Sequence, residues 1–251
     1  MSDSSFATAY TIQDVQQALA SLNGKALVFV DVDDTLITPA SHLFRHSSPY
    51  RSLIDDLKAS IATTANFETI LSQWRLNRKS ILVNDAWPSL INTLKKSYAT
   101  YALTKMETGS LGDIPSMEQW RYGELMEKGI SFTPTFLGEE DIVFMTDDAQ
   151  PFPPTFYKGI FMTGSYHKGD VFRLLSGATD APPAVALIDD RPAYLEDMRD
   201  ACRHTATPFL GILFKGVELI PGAPDPKTAA FQKQQLLENG RWFEDDEVNL
   251  A

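Results

Sequence analysis

Ala26-Leu-Val-Phe-Val-Asp-Val-Asp-Asp-Thr-Leu36 is the stretch from which the rest of the chain can be read. An unbroken apolar run ends abruptly in Asp31, with Asp33 and Asp34 close behind. A strand apolar on both faces is one buried on both sides, the condition of a parallel sheet covered by helices. Similar runs recur at 98–103, 159–162, 185–188 and 209–214. Helical spacing separates them, over about 115–128, 169–176, 192–204 and 226–238, with a further helix over 11–22 that carries Ile12, Val15, Leu19 and Leu22 on one face. Pro192 suits the first turn of one of these helices and Gly240 the C-terminal cap of the last. Strands alternating with helices imply βαβ units, and so an α/β fold with a Rossmann-like open parallel sheet flanked by helices.

Two intervals are too long for a plain crossover. From Asp31 to Thr104 the chain runs more than twice the roughly 30 residues of a βαβ unit. Leu53, Ile54, Leu57, Ile61, Phe67, Ile70, Leu71 and Trp74 are spaced within it as in helices. The expected division is therefore a core domain of 1–39 and 96–251 with a small helical insertion at 40–95. The second interval, about 130–158, is proline-rich and predicts a short hairpin near 142–146 and 157–163.

Length and charge narrow the function. The chain has 251 residues, 43% of them apolar and 22% charged, with a formal net charge of −11. Such a surface repels nucleic acid and anionic membranes, so neither is expected as a partner. No apolar run reaches the roughly 20 residues of a membrane-spanning helix. The polar first ten residues lack a signal-peptide core, which places the chain in the cytoplasm as an expectation. A single cysteine, Cys202, excludes an internal disulfide and reads as a small core residue.

In an open α/β sheet, ligands bind outside the carboxyl ends of the strands. The residues at those ends are Asp31 to Thr35, then Thr104 and Lys105, then Asp189, Asp190 and Arg191. Carboxylates from distant strand ends converging at one edge repel one another and lose hydration, at a cost of several kcal/mol. A hard divalent cation with oxygen ligands removes that cost, and Mg2+ binds through a few carboxylates plus water. The strand ends thus predict a metal site of phosphoryl-transfer character.

The run from Val28 through Asp31-Val-Asp-Asp-Thr-Leu36 resembles the first motif of the haloacid-dehalogenase-like (HAD) hydrolase superfamily. The resemblance implies that Asp31 is the nucleophile and Asp33 the general acid/base. It further implies that Thr104 binds a phosphoryl oxygen and that Lys168, with Lys158 as the alternative, offsets the charge. Val185-Ala-Leu-Ile-Asp-Asp190 resembles the acidic motif. It implies Mg2+ ligation by Asp31, the Asp33 backbone carbonyl and Asp190, with Asp189 in support. The insertion resembles a cap that closes over small substrates. The tail around Arg241-Trp-Phe-Glu244 resembles that of a bacterial branch of unknown function.

The implied activity is Mg2+-dependent phosphatase action on phosphate monoesters through an aspartyl-phosphate. A small phosphorylated metabolite is the favoured substrate and a phosphoprotein, such as one bearing phosphotyrosine, the alternative. A phosphotransferase or a non-catalytic binding module on the same fold remains open. Asp34 reads as a turn residue and His42 and His46 as surface residues. Trp74, Trp87 and Trp120 read as packing residues, and the acidic run Glu244 to Glu247 as a solvated segment.

Overall fold

A computed structural model describes residues 4–22, 25–45, 59, 66–146, 150–178 and 182–248. The central apolar runs become β2 (Leu27–Val30), β5 (Ala99–Thr104), β9 (Val185–Asp189) and β10 (Phe209–Phe214), which with β1 (Ser4–Ala9) and β8 (Ile160–Met162) pair in parallel. β7 (Thr155–Tyr157) and β6 (Asp141–Val143) extend the sheet in antiparallel fashion. The strand order is β1-β10-β9-β2-β5-β8-β7-β6. This is an α/β, Rossmann-like sheet, as the alternation of strands and helices requires.

Alternation along each strand feeds two cores. Val28 and Val30 of β2 and Ile188 of β9 face one layer, where they meet Ile12 and Val15 of α1 (Ile12–Leu19) and Met117 and Leu125 of α4 (Met117–Glu127). Phe29 and Leu187 face the other, against Phe172 and Leu175 of α5 (Lys168–Ala178) and Leu195 and Met198 of α6 (Pro192–His204). Each such side chain, fully buried, contributes about 1.5–3 kcal/mol. Cys202 lies in this second core, and burial pushes its thiol up to about 12, which keeps it protonated and unreactive.

Three features differ from the sequence-based expectation. Residues 4–9 have no apolar run, yet form β1 at the sheet edge, held by backbone pairing to β10 and by Phe6 against the Phe209 ring. The run 157–163 is split: Lys158 and Gly159, with φ of 44° and 95°, turn β7 into β8, and β7 in turn pairs with β6. Glycine is required at that turn, since a Cβ there would lie 2.6 Å from that of Phe132. The acidic tail is not wholly solvated. Glu244 is buried, accepting from Ser41 Oγ at 2.5 Å, from the Lys79 N–H at 2.6 Å and from Trp242 Nε1 at 3.1 Å.

Within 40–95, the residues His46, Leu53, Ile54, Leu57 and Ile61 lie outside the described residues. The expected helical spacing of Phe67 to Trp74 forms α2 (Phe67–Asn77). β3 (Ile37–Pro39) pairs antiparallel with β4 (Ser80–Leu82), and α3 (Trp87–Leu94) sends Trp87, Leu90, Ile91 and Leu94 into the first core. Ile70 of α2 and Leu43 pack with Trp242 and with Ala229 and Leu236 of α7 (Pro226–Asn239), so the C-terminal tail closes over the start of this interval. Asp225 caps α7 through the Thr228 N–H at 2.8 Å, and Gly240 ends it at φ 61°. Among the described residues no helix is long and apolar enough to cross a membrane.

Candidate functional site

β2 is the strand from which the connections diverge: β5 lies on one side of it and β9, reached much later in the chain, on the other. Val30 is level with Ala102 of β5 and Ile188 of β9. Asp31, one residue on, donates its N–H to Ile188 O at 2.8 Å and so stands beside Asp189. The chain then turns sharply. Leu36 and Ile37 donate back to Val32 O at 2.9 and 3.1 Å, and Asp34 takes a φ of 61°, a conformation Asp tolerates better than most residues. Thr38 Oγ1 donates to Asp34 Oδ1 at 2.6 Å, which fixes the turn.

Lys168 opens α5 and is fully buried. Its Nζ lies 2.5 Å from Asp31 Oδ1 and 2.5 Å from Asp189 Oδ2. The other oxygen of Asp189 accepts the Arg191 N–H at 2.9 Å. Carboxylate oxygens of Asp31, Asp189 and Asp190 all lie within 4.8 Å of one another. Among the described residues Lys168 is the one cation bonded to Asp31 and Asp189, while Arg191 Nε approaches Asp190 no closer than 3.9 Å. Negative charge is therefore in excess. Burial is the main force that drives the Asp31 carboxyl up to about 7, helped by Asp189 and opposed by Lys168. Burial, then Asp31 and Asp189, push Asp190 up to about 9. Burial alone would lower Lys168, but Asp189 and Asp31 outweigh it and raise the ammonium above its usual range. Three carboxylates around one ammonium have the donor chemistry of a site for a hard divalent cation.

Asp33 points to a different neighbourhood. Its Oδ2 accepts from Arg121 Nη2 at 2.7 Å, and Arg78 Nη2 stands 3.6 Å from Oδ1. Loss of hydration works against ionisation of Asp33, whose side chain is still 41% exposed, but Arg121 and Arg78 more than offset it and hold the carboxyl below its usual range. Glu124 joins the same two arginines at 2.6 and 2.9 Å. Beside Asp33 lies a cavity of about 480 Å3 whose wall includes Phe44, Trp74, Arg75, Arg78 and Leu236.

Of the residues singled out in the sequence, Asp31, Lys168, Asp189 and Asp190 come together, and Asp33, two residues from Asp31, lines the neighbouring cavity. Thr104 is buried at the end of β5, where its carbonyl accepts the Thr163 N–H at 3.0 Å. Lys158 lies elsewhere, in the β7–β8 turn, over the rings of Tyr122 and Tyr157 at 5.3 and 5.5 Å. His42 binds Asp245 of the tail rather than any ligand set. The arginines were missed. The available signal was in α4, where Glu118 and Arg121 share the buried face with Met117 and Leu125, so that charges occupy positions of an otherwise apolar stripe.

An uncharacterized protein of Rickettsia prowazekii (strain Madrid E) is 29% identical over 234 residues, covering 92% of this chain and 85% of its own length. No solved structure matches the chain. The profile of the family described as "Protein of unknown function (DUF2608)" matches residues 8–249, from β1 through the buried tail, and the chain belongs to that family.

Proposed function

We propose that this protein is a Mg2+-dependent phosphatase of the HAD-like type, acting on a small phosphate monoester. The observation that carries the proposal is the convergence of Asp31, Asp189 and Asp190 at the carboxyl ends of β2 and β9, their oxygens within 4.8 Å of one another, with the Lys168 ammonium bonded to Asp31 and Asp189. The order of these residues along the chain is also that of the HAD motifs.

In the proposed reaction an Asp31 carboxylate oxygen forms a bond to phosphorus while the phosphorus–oxygen bond to the substrate's organic group breaks. The departing oxygen takes a proton from Asp33 where that carboxyl is protonated, and otherwise leaves as an anion that is protonated by solvent. Water then attacks the phosphoryl group on Asp31, giving its proton to Asp33, and the bond to Asp31 breaks to release phosphate. Lys168 holds Asp31 in position and offsets charge on it. Mg2+ held by Asp31, Asp190 and the Asp33 carbonyl, with Asp189 in support, would supply positive charge to the phosphoryl oxygens. Arg121 against Asp33 favours the ionised form, suited to accepting the proton from water. Departure of the organic group is then easiest for esters whose oxygen leaves readily as an anion. A cavity of about 480 Å3 beside Asp33 is of a size that suits a small molecule better than a phosphoprotein.

The direct test is release of phosphate from aryl and alkyl monoesters with and without Mg2+. Metal-dependent turnover, faster on the aryl ester, is expected. No turnover of either ester at saturating metal overturns the assignment.

Metal binding makes a separate prediction for stability. Asp31 and Asp190 ionise less readily folded than unfolded, so the folded state holds more protons across that range. Stability of the metal-free protein therefore falls as pH rises from about 5 towards 9. Mg2+ at about 100 times its dissociation constant should raise the melting temperature by roughly 5–10 °C. At a fixed Mg2+ concentration the gain should grow with pH, as the carboxylates ionise and affinity rises, and vanish in Asp190→Asn. A melting temperature indifferent to Mg2+ at pH 8 argues that no metal binds there.

A further inference from the structure

Trp120 stands among three guanidinium groups. The central carbons of Arg121, Arg78 and Arg75 lie 4.9, 5.2 and 5.8 Å from its ring centre, and Arg78 also lies 4.6 Å over Trp74. Carboxylates account for part of this charge. Arg75 pairs with Glu107 at 2.7 Å, while Arg78 and Arg121 share Glu124. They do not account for the donors. A guanidinium carries five N–H groups in a rigid fork.

The Arg78 side chain is only 5% exposed, yet its Nε–H has no hydrogen-bond partner among the described residues. The indole Nε1–H of Trp74 has none either. Both residues line the cavity beside Asp33. Two buried donors without acceptors on one cavity wall form an unusual deficit, because native structures nearly always satisfy such groups. An acceptor brought in by a ligand would remove it.

The rest of the wall indicates what carries that acceptor. Phe44 stacks on Trp74 with ring centres 4.4 Å apart, and Leu71 and Leu236 add aliphatic surface. Asp33, 3.6 Å from Arg78, and Glu107, paired with Arg75, belong to the same wall and offset guanidinium charge there. What Arg78 offers a ligand is therefore its unsatisfied Nε–H, a donor whose best acceptor is an anionic oxygen. We infer that the cavity recognises the leaving portion of the phosphoester as a flat apolar body bearing an anionic oxygen group, a carboxylate or a second phosphate, which accepts from Arg78 and Trp74. This assignment rests on the phosphatase proposal, since it names the substrate class of the same site.

The experiment separates the two. Phenyl phosphate, 4-carboxyphenyl phosphate and phenylene 1,4-bisphosphate are titrated calorimetrically into the Asp31→Asn protein with Mg2+, and each is offered to the wild type for turnover. One or both doubly anionic esters should bind about tenfold or more tighter than phenyl phosphate, and which of them does so identifies the anion. Arg78→Gln should bring the preference close to unity. Trp74→Phe, which keeps an aromatic ring against Phe44 and removes the N–H donor, should lower it severalfold while the protein stays folded. Equal binding of all three esters overturns the inference, as does a preference unchanged in both variants. If the esters are turned over without preference, the anion site falls and the phosphatase proposal stands. If the preference is seen with no turnover of any ester, the anion site stands and the phosphatase proposal falls.

Discussion

Asp31→Asn should lower the Mg2+-dependent hydrolysis of an aryl phosphate by about 10^4-fold or more while leaving the protein folded. The substitution is isosteric. An amide oxygen can still accept from the Lys168 ammonium, which lies 2.5 Å from the carboxylate it replaces. What is lost is the nucleophile, since an amide forms no stable bond to phosphorus in place of the ester.

Stability should move the other way. Burial and Asp189 push the Asp31 carboxyl up to about 7, so above that pH its negative charge destabilises the metal-free fold. At pH 8 without metal, Asp31→Asn should therefore melt no lower than the wild type in a thermal scan. Activity within tenfold of wild type would exclude Asp31 as the nucleophile. A large fall in melting temperature would mean that the loss of activity reports unfolding.

Lys168→Met should be the most destabilising single change at the site. Lys168 is fully buried between two carboxylates, each 2.5 Å from its Nζ. Removing one partner of a buried ion pair costs about 3–5 kcal/mol, because the remaining charge stays buried without compensation. For a chain of this size that is roughly 6–20 °C in melting temperature. Asp189 and Asp31 raise the Lys168 ammonium above its ordinary range, so its stabilising effect is complete below the unfolded value and is lost only as pH rises through the higher folded value. The deficit should accordingly be present throughout neutral pH.

Asp189→Asn introduced with Lys168→Met removes one of the stranded carboxylates. It should recover about 1–3 kcal/mol in urea denaturation, as expected for directly coupled residues. Hydrolysis should stay lost in both proteins, since neither has the ammonium beside Asp31. Additive losses in the double variant would show that Lys168 and Asp189 do not act as a pair.

Much of the core could be read because its signals are local. Four apolar residues from Leu27 to Val30 specify a strand buried on both faces whatever packs against it, and the polar residues that follow mark its carboxyl end. The same holds for β9, where Ile188 is followed at once by Asp189 and Asp190. Parallel pairing then places the ends of β2 and β9 side by side, so Asp31 meets Asp189 by register. Lys168 was legible for a related reason, standing at the start of a helix whose periodicity is plain.

The features that escaped are those with no local pattern. β1 carries no apolar run and exists because the edge of β10 offers it a row of backbone partners. The hairpin expected near 142–146 and 157–163 depended on which strand pairs with which, and the Lys158–Gly159 turn settled that differently.

The sequence by itself determined the α/β sheet, the strand that presents Asp31, and the acidic pair that joins it, since each follows from the polarity of neighbouring residues. Only the tertiary structure decided what surrounds Asp33 and where the tail lies. Arg121 meets Asp33 across 88 positions of sequence, and Glu244 meets Ser41 across 203. Contacts over such separations are selected by the packing of whole elements, which buries a charge only where a partner from a distant segment already stands to receive it.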